Sequence, residues 1–429
     1  MKICNTIKER GNNLFKYMCA VFFGIFVGFI LINFVYLIPT EPLKKNISSS
    51  AIYTGEENLH PQVVDGYVNS TLDLLTDYVM LNTAVNKSDK PFYEAAMSSN
   101  NIYYNENNQD VAQNLIDYCD EKSDYLTTSY ERYWHGYLVF LKPLLIFFNI
   151  QDITMLNFTT QLILFSILIY FISKTNGLLC SICFAIVSSF IGFPLITGMN
   201  LQYTSIILIS LISSIILLWK KEWLFEDKIR LNIMFLVVGM MTSYMDFLTF
   251  PTLTLTLPLI LFILNLKLCN KEKIVYVFKL SLFWVFGYIL MWGSKWLLAS
   301  IILNQNVFKN AIDSILLRTS IDNPFNSSEK FSRIFSIKKT LIDVYLRKPT
   351  VLFALSFIFF SMQKYLRKLG LKKYLIVLKE NLILLFIGLI PLVFIFLSAN
   401  HAIVHFYFVN KQLFTTIIAV LLFFNVNER

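Results

Sequence analysis

The sequence predicts an all-α polytopic membrane protein, and three observations carry that prediction. Of 429 residues, 56% are hydrophobic and only 15% are charged, against roughly 25% charged in soluble domains. Phe alone fills 40 positions and the mean hydropathy is +0.58, so polar side chains are too few to coat a soluble body of this size. Apolar runs near the ~20 residues that a spanning helix needs recur along the chain. A soluble enzyme, a disordered chain and a secreted disulfide scaffold are excluded together.

Ten runs qualify as spans: 16–38, 157–173, 178–197, 202–219, 231–249, 251–266, 276–298, 349–361, 381–398 and 402–424. The runs 251–266 and 349–361 are short and require tilt or extension into their polar flanks. The apolar stretch Tyr137 to Ile150 contains Lys142 and Pro143 and reads as an interfacial or re-entrant helix. The basic leader MKICNTIKER precedes a run from Val21 to Leu37 with no small-x-small cleavage site after it, which predicts a retained anchor. The chain then divides into an anchor span (1–38), a large outer loop with the interfacial helix (39–156), central membrane helices (157–298), a second outer loop (299–348) and C-terminal membrane helices (349–429).

Lys and Arg in the short connections set the orientation. With both termini cytoplasmic, the inner segments 1–16, 174–177, 220–230, 267–279, 362–380 and the last few residues hold 20 bases against 7 acids. Segment 39–135 then lies outside with 15 acids and 6 bases. The whole-chain charge of +9 is thus a basic inner surface plus an acidic outer loop, the sign expected for anchoring at anionic lipid. Nucleic acid is not required as a partner. The expected location is a plasma membrane, with the active face outside, and the Lys, Asn and Ile bias suits a bacterial chain.

Cysteines decide little. Cys119 is the only one in an outer loop, while Cys180 and Cys183 have CxxC spacing inside an apolar span, where packing is the ordinary role of thiols.

Polar residues gather at the outer ends of spans. Run 231–249 brings Tyr244 and Asp246 to its outer end; an ionisable group at that depth is either the structural partner of a cation or a wall of a site. Run 276–298 ends in MWGSKW, which brings Lys295 to the same level, and run 381–398 leads into SANHAIVHFYFVNK, with His401 and His405 one turn apart. The other two histidines, His60 and His135, fall in the first outer loop. Imidazoles at such a level can donate to an anion or exchange a proton near neutral pH, or they can be satisfied core groups. A zinc site lacks a third close ligand in this spacing.

Within the first outer loop, VVDGYVNSTLDLLTDYVMLNTAV reads as a helix with Asp73 and Asp77 four apart, close enough for one carboxylate to raise the other's pKa. They are candidates for a general base, against the bland alternative of a solvated face. Further on, TSYERYWHGYLVFLKPLL groups Arg132, Trp134, His135 and Lys142 around a proline, a mixture of phosphate donors and amphipathic anchor. In the second outer loop KFSRIFSIKKTLIDVYLRKP mixes apolar and basic residues as an in-plane amphipathic helix does. Arg318 lies just before it as a positional phosphate ligand.

These features resemble the membrane glycosyltransferases of the GT-C superfamily, whose donors are sugars on polyprenyl phosphate or pyrophosphate. The resemblance rests on three elements and spans most of the chain: Thr76-Asp77-Tyr78-Val79-Met80-Leu81; Arg132 to Tyr137 with Leu141-Lys142-Pro143-Leu144-Leu145; and Asn400-His401 through Val404-His405. It implies a GT-C-like fold of about ten transmembrane helices, with amphipathic helices in the first and last large outer loops. It also implies transfer of a sugar from a lipid-linked donor to a glycan, cell-wall polymer or protein acceptor. On that resemblance Asp77, then Asp73, would act as base, and Arg132, His135, Lys142, His401 and Lys411 would hold the donor phosphate; Lys295, Arg318 and His405 are further phosphate candidates by position. His60, Trp134, Tyr244 and Asp246 would wall the site, and Mg or Mn could share the charge stabilisation. The usual acidic pair after the first span is absent, since residues 39–45 hold only Glu41, and Lys142 and Lys411 stand where arginine is expected. The alternatives are a lipid or polysaccharide transporter or flippase, a polymer ligase, and a non-catalytic cell-envelope assembly protein.

Overall fold

The computed structural model describes residues 2–425, apart from 53, 56–58, 105–109, 123–124 and 323–329 and the side chains of 2–10 and 343. The side chains of the basic leader and the last residues of the expected cytoplasmic C-terminus lie outside the described residues. The protein is an all-α, multi-pass membrane protein. Among the described residues six helices are long and apolar enough to cross: Gly11–Val35, Ile150–Asn176, Leu201–Trp219, Asn270–Leu303, Lys348–Leu397 and Phe406–Phe423.

Local chemistry explains why the expected spans differ from these helices. The run 178–197 is helical only over Leu178–Ser189; Gly192 turns the chain at φ 75° before the short helix Leu195–Met199. The run 251–266 yields Thr252–Asn265, only 14 residues and therefore ~21 Å long, short of a ~30 Å hydrocarbon core. The run 402–424 is broken by its polar residues into Ala399–Val404, Phe406–Val409, a 3-10 turn Asn410–Leu413 and Phe414–Phe423. The helix Lys348–Leu397 is two arms that meet at Gly370, whose φ of 73° leaves the helical region. A straight helix of 50 residues would be ~75 Å long. Instead the residues on either side of Gly370 meet one segment, Tyr365 Oη donating to Asn425 Oδ1 and Tyr374 Oη to Phe424 O, and Arg333 donates to the carbonyls of Phe396 and Leu397 at the end of the second arm.

The outer loops depart from expectation in the same way. The segment around Asp73 and Asp77 is a 3-10 turn Val68–Ser70 followed by a helix Leu74–Val85, so Asp73 is the N-cap and not part of a helix face. Asp73 caps because its carboxylate accepts from Thr76 N, a bond that short acidic side chains form best just outside the first turn. The stretch 330–349 is helical over Arg333–Thr340 and continues as a π turn Leu341–Tyr345. The interfacial segment forms Leu138–Phe147 with Pro143 inside it. A two-stranded antiparallel ribbon pairs Asn101–Tyr103 with Leu126–Thr128, Ile102 opposite Thr127.

In the membrane layer water does not drive helices together, so close approach and interhelical hydrogen bonds do. Lys228–Met245 and Asn270–Leu303 meet glycine on backbone: a Cβ on Gly239 would lie 2.0 Å from the Trp284 carbonyl, and one on Gly287 2.0 Å from that of Leu236. Helix Thr252–Asn265 is buried from Thr252 through Leu264 and is held by hydroxyls. Thr254 Oγ1 meets Thr242 Oγ1 at 2.8 Å and accepts from Trp284 Nε1 at 3.0 Å. Thr256 Oγ1 meets Thr415 Oγ1 at 2.8 Å.

Two ends of the bundle follow. At one end the helices Thr40–Ser48, Leu74–Val85, Phe92–Ser98 and Val111–Cys119 share a core with Ile32, Met240 and Met291 of the membrane helices. At the other end the short connections meet: Lys221 Nζ donates to Asn265 Oδ1, and Asn265 Nδ2 to Asn176 Oδ1.

The glycine contact generates a prediction. Gly239→Ala and Gly287→Ala each overpack a backbone contact and should destabilise by about 1–3 kcal/mol. Gly293→Ala, on the same long helix with open space at its Cβ position, should be neutral or slightly stabilising. Thermal unfolding of the three variants in detergent measures the difference.

Candidate functional site

The segment from His60 to Asp73 is a folded loop, closed by Leu72 N donating to Pro61 O and Leu74 N to Leu59 O. Its Val68–Ser70 turn docks on the break between Ser189 and Leu195. Asn69 Nδ2 and Tyr67 Oη both donate to the Phe190 carbonyl, at 2.5 and 2.6 Å. Lys411 Nζ, fully buried, locks this junction by donating to Asn69 O at 2.9 Å and Ile191 O at 3.2 Å. Its ammonium therefore joins three chain segments through carbonyl acceptors.

Asp73 and Asp77 have different surroundings. Asp73 is wholly buried, and one oxygen accepts from Thr76 Oγ1 at 2.6 Å while the other accepts from Thr76 N. His60 Nε2 lies 3.4 Å from Asp73 Oδ1, with about a third of the histidine side chain exposed, and 2.8 Å from Tyr407 Oη. Asp77 instead sits at the start of Leu201–Trp219. It accepts from Asn200 Nδ2 at 3.1 Å, Leu201 N at 3.0 Å and Gln202 N at 2.9 Å. These are orphan donors of a helix N-terminus satisfied from another segment. Burial pushes the Asp77 carboxyl up to about 7; the N–H donors of Gln202 and Leu201 pull the other way, and Asp73 adds to the rise.

The histidine pair completes the group. His401 Nε2 donates to the Leu248 carbonyl at 2.7 Å. That carbonyl is aimed by Leu248 at φ 75°, in a turn held by Asp246, whose Oδ2 accepts from Leu248 N and Thr249 N at 2.9 Å each. Thr249 Oγ1 donates to the other Asp246 oxygen. His401 Nδ1 is buried with no hydrogen-bond partner among the described residues. The His405 ring lies 5.0 Å from that of His401 and stacks on Phe408 at 5.1 Å. His405 Nε2 lies 3.0 Å from Arg318 Nη1. A guanidinium can only donate, so the imidazole nitrogen accepts and the ring is neutral in this pair. Arg318, half-buried, is the permanent cation of the cluster.

The RYWHGY element forms a second neighbourhood. Trp134 Nε1 donates to Met291 O at 2.6 Å, and the Arg132 carbonyl accepts from Trp292 Nε1 at 2.8 Å and Trp296 Nε1 at 3.0 Å. His135 is buried, its Nε2 donating to Tyr130 O at 3.0 Å and its Nδ1 3.1 Å from Tyr137 Oη; burial holds it down at about 3. Lys295 is fully buried and donates to the carbonyls of Met97 at 2.9 Å and Ala96 at 3.2 Å. Tyr244 Oη donates to Gly28 O at 2.9 Å, while Lys142 rests its ammonium 4.4 Å from the Tyr36 ring centre. Arg132 lies over the Tyr130 ring and reaches Asn310 of the helix Val307–Thr319 that also carries Arg318. That helix therefore links the two neighbourhoods.

The sequence-predicted residues thus separate into two sets. His60, Asp73, Asp77, Arg318, His401, His405, Lys411 and the Asp246 turn converge; Arg132, Trp134, His135, Lys142, Lys295 and Tyr244 hold the adjoining aromatic wall. Sequence reasoning passed over Tyr407, which contacts His60, and Asn200, which contacts Asp77. Tyr407 lies two residues after His405, so the polar run itself carried the signal; Asn200 had none. Among the described residues no group of three or more His, Cys, Asp or Glu side chains is arranged to hold a metal ion. No known protein family, curated protein or solved structure matches the chain.

Because the folded-state pKa of Asp77 is raised above its unfolded value, its contribution favours the fold at low pH. That contribution is lost as pH climbs from about 4 through about 7. Asp77→Asn should remove this slope from stability measured by thermal unfolding across that range. Asp77→Ala should lower stability at every pH by about 1–3 kcal/mol, the cost of leaving buried donors unpaired.

Proposed function

We propose that this multi-pass protein handles a phosphate-bearing lipid, of the polyprenyl-phosphate-linked glycan type, in lipid or polysaccharide transport or in cell-envelope assembly. The observation that carries this reading is the pairing of a partly exposed Arg318–His405–His60 cluster with carboxylates engaged elsewhere. Asp77 serves as a helix cap and Asp246 as a turn acceptor, neither presenting a free oxygen pair to a hydroxyl. Arg318, pre-aimed by a neutral His405, is suited to a phosphate oxygen. Lys295 and Lys411 contribute by holding the surrounding backbone, not by contacting the anion.

The proposed setting is a plasma membrane crossed about ten times, by the six long helices with Lys348–Leu397 counted as two arms, and by Leu178–Ser189, Lys228–Met245 and Thr252–Asn265. The N-terminus and the basic connections face the cytoplasm, and the Arg318 cluster faces outward. Charge supports this orientation, since segment 39–135 is acidic and the connections at the opposite end are basic.

Glycosyl transfer is the second reading, and one contact favours it. Asp73 lies 3.4 Å from His60 Nε2, so the buried carboxylate could orient a partly exposed imidazole as base for an acceptor hydroxyl. The leaving lipid phosphate would be stabilised by Arg318.

Binding of polyprenyl phosphate to protein in nanodiscs tests the main reading, with the uncharged polyprenol as control. Arg318→Ala should weaken phosphate-lipid binding by about tenfold or more, the worth of one charge-assisted bond, and leave polyprenol unaffected. Equal binding by wild type and variant would remove the anion site. With a sugar-loaded donor, His60→Ala that binds normally but abolishes transfer would establish the second reading; undetectable transfer by wild type would leave transport or assembly.

A further inference from the structure

The first spanning helix, Gly11–Val35, and the long helix Asn270–Leu303 both pack on Lys228–Met245. Tyr17 meets Phe283 with ring centres 4.8 Å apart, and a Cβ on Gly28 would lie 2.8 Å from Met291 Cε, so the two helices run in parallel. Beside these contacts they leave a groove of about 480 Å³, within the usual range of ligand sites. Leu14, Met18 and Phe22 form one wall and Leu282, Phe286 and Leu290 the other, and all six are exposed. At 1.5 Å per residue the wall from Lys279 to Leu290 is ~16 Å long, about half of a ~30 Å hydrocarbon core. The groove therefore has the length of one leaflet.

Polar groups gather at one end of it. Lys279 is the one charged residue among the described residues that line the groove, and its ammonium lies 5.9 Å from the Phe283 ring centre. Tyr17 Oη accepts from the buried Asn232 Nδ2 at 2.7 Å, which fixes the hydroxyl and leaves its own proton to donate. Lys228 stands one turn before Asn232 on the same helix and is exposed. The acids closest in sequence to the two lysines are engaged, Asp227 by Arg230 at 3.4 Å and Glu272 by Cys269 N at 3.2 Å. This is the end at which the basic connections lie, so the cation sits at headgroup level and the apolar walls at chain level.

The dimensions select the occupant. About 480 Å³ spread over ~16 Å gives a mean section of about 30 Å², well below the roughly 80 Å² of a helix ~10 Å across. A single hydrocarbon chain fits where a helix of a partner does not. Lipid tails are as apolar as leucine, so such a chain is held by close packing, with no gain from excluding water. The ammonium and the hydroxyl then add selection for a negative headgroup.

We propose that this groove holds one acyl chain of an anionic phospholipid from the adjacent leaflet, with the headgroup phosphate bound by Lys279 and the Tyr17 hydroxyl. The site is separate from the Arg318 cluster and rests on no reading of that cluster.

The test uses full-length protein in nanodiscs of phosphatidylglycerol and phosphatidylcholine in equal parts, with retained lipid counted by native mass spectrometry. Wild type should keep about one phosphatidylglycerol per chain in preference to phosphatidylcholine. K279Q should cut that preference about fivefold, the worth of one lysine at an anionic headgroup. L282W/L290W, which fills the groove, should reduce retention of both lipids. The controls K271Q and I289W, exposed on the same helix and outside the groove, should match wild type. Absence of retained lipid, retention without preference, or equal loss in the controls overturns the proposal. A dimer that dissociates in the groove-filled variant also overturns it, in favour of a second copy as occupant. Unfolding temperatures matched to wild type verify the variants; should the tryptophan variant unfold, the lipid preference of K279Q against that of K271Q decides.

Discussion

The Asp77 carboxylate joins the two parts of the molecule. A helix that starts inside a protein leaves N–H groups with no partner, and in a dry interior each unpaired donor is costly. Leu201–Trp219, in the centre of the bundle, has its first donors satisfied by a side chain from the segment between the first two long helices. Its own N-terminal sequence does not supply such a partner. Asn200 is the N-cap residue, yet its side chain makes no cap bond and donates to Asp77. The position of Asp73, and of His60 beside it, relative to the bundle follows from this junction, because Asp73 caps the helix that carries Asp77.

Buried cations repeat the same logic with opposite sign. Lys411 and Lys295 each gather carbonyls that turns and short helices leave open, Lys411 between Asn69 and Ile191 and Lys295 at the end of Phe92–Ser98. An ammonium suits this role, with three donors on a flexible stem that can reach carbonyls from unrelated segments. Their positions beside aromatic rings, Tyr203 for Lys411 and Trp134 for Lys295, add a favourable face to the charge. Both groups therefore look like ligand-binding cations in a sequence and function as connectors in the fold.

Fold class was legible because composition and run length report directly on the solvent. The helical identity of the apolar segments followed, but not their integrity: a break depends on whether neighbouring residues can satisfy freed backbone groups, which is a tertiary property. Gly192 and Gly370 marked breaks in plain view, whereas the interruption at Asn410–Leu413 needed Lys411 and its distant carbonyls. Among site residues, the shared level of His60, His401 and His405 was readable from topology. The division of labour between Asp73 and Asp77 was not, because four residues of spacing specify a helical face only when both residues lie within the helix.

The long sequence separation of these connectors sets an order of events during synthesis. Asp77 waits for Asn200, Leu201 and Gln202, 123 to 125 residues later, and Asn69 waits 342 residues for Lys411. At translation rates of about 5–20 residues per second, the second interval lasts roughly 17 to 70 s. Throughout it the Val68–Ser70 turn lacks its bond from Lys411, while the partners of Asp77 are synthesised well before it ends. The Lys411 segment therefore completes a junction begun at Asn69, and a chain truncated before it keeps the partners of Asp77 while losing the Lys411 lock.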